Sequence, residues 1–489
     1  MTLLAGLDIG TSSVKGLLVA ADDGAVVARA EVAHALSTPR PGWAEQDPAD
    51  WWAGAEAVLS QLGRAGEIGA IGLTGQMHGL VALGATGRAL RPAMLWNDGR
   101  TGAECAEIEQ TVGLERLIAL TGNRALTGFT APKLRWIARH EPEVYGQIAR
   151  IMLPKDYVRL RLCGEHATDV ADASGTLLFD VARRRWSEEM LEALEVDPAW
   201  LPQALESPAV SGVTADGVPV AAGAGDQAAG ALGVGVDGLG RAGPVSIVLG
   251  TSGVVFAAAD AFAADPEARV HAFCHAVPGG WHSMGVMLSA AGSLRWLADA
   301  VAPPGGSGAD IGVLVEEARA WEPGCEGLTF LPYLAGERTP HADPDARGVF
   351  SGLSLRHDRG ALTRAVLEGV AFGLRDGLDL VAENAGTPSL GRVSGGGARS
   401  RLWLQILASV LELPLQRVAV DEGASFGAAL LGGVAAGVFG DVHEAVAACV
   451  RPGEIIEPVA EWIEPYRAAR ERFRALYPAL RAARYPRAP

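Results

Sequence analysis

The chain has 489 residues, 49% of them hydrophobic and 20% charged, and a formal net charge of −16. That length supports two lobes with sizeable cores, and no long Ser/Pro/Gly block marks a disordered tract. The negative balance argues against nucleic acid or an acidic membrane as the main partner, but backbone N–H groups can still hold an anionic ligand locally. The five cysteines, Cys105, Cys163, Cys274, Cys325 and Cys449, lie far apart with no CxxC pair. This fits a reduced, cytoplasmic protein better than a structural zinc site. "MTLLAGLDIG" lacks the basic n-region of a signal peptide, and the Gly-rich run at 218–238 is a poor transmembrane segment.

In chain order, Leu3 to Ile9 reads as an apolar strand, followed by Gly10-Thr11-Ser12 and a second strand from Val14 to Ala20. A turn at Asp22-Asp23-Gly24 leads to a third strand at Val26 to Val32, giving an antiparallel meander. Asp47 is a natural helix cap before Pro48, and Trp51, Ala55, Val58, Leu59 and Leu62 repeat at helical spacing up to Gly63 or Gly66. Strands resume at 70–75 and 79–83. Near residue 245 the order begins again: strand, Gly250-Thr251-Ser252, strand over 244–259, further strands at 270–276 and 281–287, then a helix at 288–301. The repeat points to a duplication of one α/β lobe, with 237–243 as the boundary between lobes 1–243 and 244–489. A long helix at 358–384 capped by Asp358 follows, then a strand, a Gly turn and a helix around 391–411, a strand at "LPLQRVAV", and a small-residue helix at "EGASFGAALLGGVAAG". A basic amphipathic surface helix closes the chain. The stripe Gly369, Gly373, Gly377 reads as close packing.

The Walker pattern is absent, and two GxGxxG matches at 233–243 precede a strand where a dinucleotide site needs a strand-to-helix turn. Phosphate can be bound another way. Two strand–Gly-Thr-Ser–strand hairpins offer N–H groups and the hydroxyls of Thr11, Ser12, Thr251 and Ser252. Asp8, ending an apolar strand, then has a use as a Mg²⁺ ligand acting through water. "DIGTS" taken singly is equally an ordinary tight turn. "SGGGARS", holding Gly395, Gly396, Gly397 and Ala398, lies between strand and helix and lets a nucleotide approach the backbone. Asp226 stands among Gly and Ala at a strand-to-helix junction, where it serves as a ligand group, a helix cap or both. Gln76 and His78 flank Met77 between Gly75 and Gly79, as in a pocket rim, although a lone histidine is usually structural. Trp96, Asn97, Asp98 and Arg100 form a cluster of the composition seen in sugar sites, or a polar turn.

Ordered from residue 6 to about 430, "GLDIGTSSVKG", "WAEQDPADWW", "GQMHG", "LRPAMLWNDGR", "TGFTAPKLRWIARHEPE", "LPKDYVRLRLCGE", "AGAGDQAAGA", "LGTSGV", "FLPYLAGERTPH", "GGGARS" and "ASFGAAL" together make the chain resemble the FGGY carbohydrate kinases, and within them the xylulokinase group. The resemblance implies two lobes with ribonuclease-H-like, actin-like cores and a deep cleft, the N-terminal lobe binding sugar and the C-terminal lobe binding nucleotide. It also implies ATP and Mg²⁺, and phosphorylation of D-xylulose to the 5-phosphate. By position it makes Asp226 the catalytic base and Met77 and His78 the sugar-contact pair, with Gln76, Asn97, Asp98 and Gln227 as further sugar contacts. Asp8 matches the acid near the metal, Gly250-Thr251-Ser252 the second phosphate turn, and Gly395 to Ala398 the adenosine site. One departure stands out: the family usually has Asn where this chain has Gln227, which keeps the amide and adds a methylene. The Asn-Gln-Arg-Glu signature of glycerol kinases is missing at Gly75 to His78. Two alternatives stay open at this level: a kinase of the same family for another ketose or polyol, and a sugar-independent nucleotide clamp of the actin sort. The sequence does not fix the oligomeric state, and a homodimer stays open.

Overall fold

The computed structural model describes residues 2–238, 243–302, 308–420 and 423–482. Of the expected boundary at 237–243, residues 239–242 lie outside the described residues, as does the end of the basic helix past 482. By contact the chain forms two compact units. The first is Met1–Leu239 with Ala258–His282 and Glu422–Arg451, and the second is Gly240–Ala257 with Ser283–Asp421 and Pro452–Pro489.

The first unit opens with the antiparallel meander: β1 (Leu3–Ile9), β2 (Ser13–Ala20) and β3 (Val26–Ala33), with Asp8 opposite Lys15. Strand β3 alternates between half-buried and exposed positions, as an edge strand with one wet face does. The helix Pro48–Leu62 starts where the sequence places it. Asp47 caps it by accepting the Ala49 N–H at 2.9 Å, and Trp51, Ala55, Val58 and Leu62 enter the core with Leu7, Val14 and Leu18. Strand β4 (Ile68–Gly75) lies parallel to β1, with Asp8 beside Thr74. β5 (Val210–Val213) and β6 (Pro219–Ala221) extend the sheet to the order β5-β6-β4-β1-β2-β3, and the short β7 (Ala224–Gly225) pairs with the end of β4.

The small-residue helix Gly423–Ala435, distant in sequence, belongs to this unit and covers β1 and β4. Its composition is explained by how close it comes. A Cβ on Gly72 would lie 1.7 Å from the Ala428 carbonyl oxygen, and one on Gly427 would lie 1.9 Å from that of Ala229, on the helix Asp226–Gly233.

A second sheet has the order β10-β11-β9-β8-β12-β13-β14, with β8 Val245–Leu249, β9 Gly253–Ala259, β10 His271–Cys274, β11 Trp281–Met287, β12 Gly391–Ser394, β13 Leu415–Val418 and β14 Pro452–Ile456. Its run β11-β9-β8-β12-β13-β14 repeats β3-β2-β1-β4-β6-β5 of the first sheet. The pairings agree as well: β1 with β4 and β8 with β12 are parallel, β4 with β6 and β12 with β13 are parallel, and β6 with β5 and β13 with β14 are antiparallel. One topology is therefore present twice, as the repeated Gly-Thr-Ser hairpins suggest. The helix Arg359–Ala385, capped by Asp358, packs its glycine stripe on Phe330, Met287 and Gly285.

Candidate active site

In the first unit β1 and β4 run parallel and end level, at Ile9 and Gly75, with β7 ending beside them at Gly225. Three segments leave the same sheet end: Gly10–Ser12, Gln76–His78 and Asp226. The carboxyl ends of parallel strands are where α/β sheets present their ligand groups, because side chains converge there and no strand continues past them.

Asp8 sits one residue before the end of β1, and its Oδ1 is buried without a hydrogen-bond partner. Burial raises its carboxyl to about 6, against the pull of Lys15. Asp226 is the first residue of its helix, after Gly225 at the cap position, and keeps a partly open face. A helix start ordinarily favours an ionised acid. Here burial and the charge of Asp8 win and raise the carboxyl to about 7, although Gln227 donates hydrogen bonds to it from both side chain and backbone. Two buried carboxyls, of which Asp8 raises the pKa of Asp226 and carries an orphaned oxygen, form a site suited to a divalent cation.

Gly225 lets Met77 lie against the residue before Asp226; a Cβ there would meet Met77 Cγ at 2.8 Å. His78 is buried, with φ of 68°. Its Nδ1 is 2.7 Å from the Gly175 carbonyl oxygen, which only accepts, so Nδ1 carries the proton. The edge of Phe129 packs on the ring with centroids 4.7 Å apart.

A directional chain of hydrogen bonds ties these segments together. The Trp96 indole donates to the Thr11 hydroxyl at 3.0 Å, and that hydroxyl donates to Gln76 Oε1 at 3.0 Å. The Gln76 amide donates to Gln46 Oε1 at 3.1 Å, and Gln46 donates to the Thr11 carbonyl at 2.6 Å. The Thr11 hydroxyl is thus engaged in the wall, while Ser12 is exposed. Asp98 is buried; its Oδ2 accepts from Ala44 N–H at 2.8 Å and from the Arg100 guanidinium at 2.6 Å, and its Oδ1 accepts from the Arg100 backbone N–H at 3.0 Å, so both oxygens are engaged in building the turn. Asn97 is exposed on that turn.

In the second unit Gly250-Thr251-Ser252 follows β8 and Gly395 to Ala398 follows β12. A cavity of about 840 Å³ is lined by Gly250, Thr251, Gly396, Gly397 and Ser400, and by Ile311 and Val315 of the helix Ile311–Ala318. Gly395 has φ of 89° and Gly397 lies against Leu249, whereas a Cβ on Gly396 would meet nothing within 4 Å. The backbone at Gly396 is therefore open to a ligand. Ser252 and Ala398 lie outside that lining, and Ala398 is buried.

Sequence reasoning did not single out Gln46, Thr130, Lys133, Gly175 or the apolar pair Ile311 and Val315. Gln46, Thr130 and Lys133 lie inside stretches already noticed for their family likeness, and the i, i+4 spacing of Ile311 and Val315 was a readable signal.

Compared with known proteins, residues 3–233 match the N-terminal domain of the FGGY family of carbohydrate kinases, and 245–436 match its C-terminal domain. The chain is 43% identical to a xylulose kinase of Escherichia coli over 96% of its own length and 98% of the relative's, and 34% identical to one of Bacillus subtilis over 98% and 97%. Its fold superposes on a xyloylose kinase from Brucella ovis with a TM-score of 0.91 at 42% identity, covering 99% of this chain and 100% of that one. With both family domains matched in order, on two units that repeat the actin-like, ribonuclease-H-like topology, the chain belongs to the FGGY family of carbohydrate kinases.

Proposed function

We propose that this carbohydrate kinase transfers the γ-phosphoryl group of ATP to the terminal hydroxyl of D-xylulose, with Asp226 as the general base. Family membership makes ATP the donor and a carbohydrate the acceptor. Relatives named xylulose kinase, similar along nearly the whole chain, support the choice of sugar. The observation that carries the assignment of the base is the Asp226 carboxyl, partly open at the sheet end and raised to about 7 beside Asp8. A carboxylate of that basicity suits proton transfer near neutral pH.

Asp226 orients the acceptor hydroxyl and takes its proton late, as the loose transition state forms. Met77, His78, Asn97 and Gln227 contact the sugar, while the Gln76 amide, engaged by Thr11 and Gln46, holds the wall behind them and Asp98 shapes the turn that carries Asn97. The second-unit cavity takes the adenosine end of the nucleotide against Gly396 and Gly397. The turns Gly250-Thr251-Ser252 and Thr11-Ser12 offer hydrogen-bond donors to the phosphates. Asp8, whose Oδ1 has no partner, would hold Mg²⁺ together with its waters. When bound, the ion neutralises charge on the phosphate oxygens. The cytoplasm is the compartment that fits, since all five cysteines are free. Among the described residues no helix is long and apolar enough to cross a membrane.

A coupled ADP-release assay over a panel of ketoses and polyols tests this reading. D-Xylulose is expected to give the highest kcat/KM, with little ADP released when sugar is omitted. A higher kcat/KM for another acceptor, or ADP release that ignores sugar, overturns it.

A further inference from the structure

Among the buried ionisable groups that phosphoryl transfer does not use, Lys133 is placed most tellingly. It lies on the helix Thr130–His140, wholly buried. Its Nζ donates to the His78 carbonyl at 2.8 Å and to the Gly128 carbonyl at 2.5 Å. Both acceptors are neutral, so the ammonium is solvated by backbone dipoles, and burial pushes it down to about 7 against the pull of Asp98. A cation held this way is expensive to bury.

The shared acceptor explains the placement. His78 has φ of 68°, a left-handed conformation that a residue with a Cβ adopts only under constraint. Its carbonyl receives the Lys133 ammonium and also the Thr130 hydroxyl, at 3.1 Å, from the first turn of the same helix. Its ring is held from the other side by the Gly175 carbonyl, where a Cβ on residue 175 would lie 2.5 Å from His78 Nδ1. Main chain and imidazole are therefore fixed by separate anchors from elements 52 to 97 residues away in sequence.

We propose that Lys133, with Thr130, is a positioning residue that holds the His78 main chain in its left-handed conformation and so sets the affinity for the acceptor sugar without touching it. This rests on the reading that His78 contacts the sugar.

The test uses the full chain and steady-state kinetics with both substrates varied. Lys133→Met keeps the length and removes the donors, and should raise the sugar KM about tenfold or more, with the ATP KM within about twofold of the parent. Thr130→Val should raise the sugar KM severalfold, and Thr130→Ser, which keeps the hydroxyl, should restore it. A sugar KM within about twofold of the parent in Lys133→Met, or sugar and ATP KM rising together, overturns the proposal. Should Lys133→Met fail to fold, the Thr130→Val and Thr130→Ser pair decides on the same criteria. A crystal structure of Lys133→Met or Thr130→Val reads the clamp independently of any substrate: His78 released to negative φ supports it, and His78 unmoved in both overturns it. His78→Ala with an unchanged sugar KM overturns the sugar-contact reading instead, and with it the claim on affinity.

Discussion

At the scale of single residues, the proposed chemistry turns on two carboxyls that share one sheet end. As the proposed base, Asp226 has to be ionised to accept a proton, yet burial and Asp8 raise its pKa to about 7. The rate with D-xylulose is therefore expected to fall about tenfold per pH unit below about 7, and a kcat/KM profile flat from pH 5 to 8 would remove Asp226 from the role. Asp226→Asn keeps the shape and loses the base, so turnover should drop by roughly 10²-fold or more with little change in Tm. His78 shows the other kind of constraint. Its protonated nitrogen is fixed by the Gly175 carbonyl, so its hydrogen-bonding pattern is set by the fold.

At the scale of elements, the helices Asp226–Gly233 and Gly423–Ala435 form one packed unit under the sheet. Each approaches so closely that side chains larger than hydrogen are excluded at the contact. The Gly427→Ala change places a methyl 1.9 Å from the Ala229 carbonyl, and backbone on both sides has to shift. Overpacking of this sort costs about 1–3 kcal/mol, and a fall of several degrees in Tm is the expected reading. Because Ala229 is on the helix that Asp226 starts, kcat should fall with it, and an unchanged kcat would show that the helix start tolerates the shift. The chain Trp96–Thr11–Gln76–Gln46 works at this scale as well. It makes the first Gly-Thr-Ser turn and the Gln76–His78 segment one body, with every amide oxygen and nitrogen given a partner.

For the whole molecule, the raised carboxyls link folding to ligands and pH. Between the ordinary value of 3.8 and the raised values of about 6 for Asp8 and about 7 for Asp226, the folded chain binds more protons than the unfolded one. Their contribution to stability is therefore greatest in acid and is lost as pH rises through that window. A divalent cation relieves the repulsion once both are ionised. Mg²⁺ with ADP should accordingly raise Tm more at pH 8 than at pH 5, and an equal shift at both would show that neither carboxyl faces the ion.

The sequence by itself determined the elements whose causes are local. The meander, the Asp47 and Asp358 caps, the second Gly-Thr-Ser hairpin and the strand at 281–287 all appear where alternation, caps and turns put them. Local pattern singled out Asp226, Met77, His78 and Asp8, family likeness gave them roles, and the fold gathers their segments at one sheet end. Tertiary structure alone decided that 258–282 and 422–451 pack with the first unit, that Asp98 and the Thr11 hydroxyl are engaged in the wall, and that Lys133 reaches a carbonyl 55 residues away. Periodicity and caps record interactions over one or two turns of chain, whereas pKa shifts, close glycine contacts and shared acceptors arise only when distant segments remove water from one another.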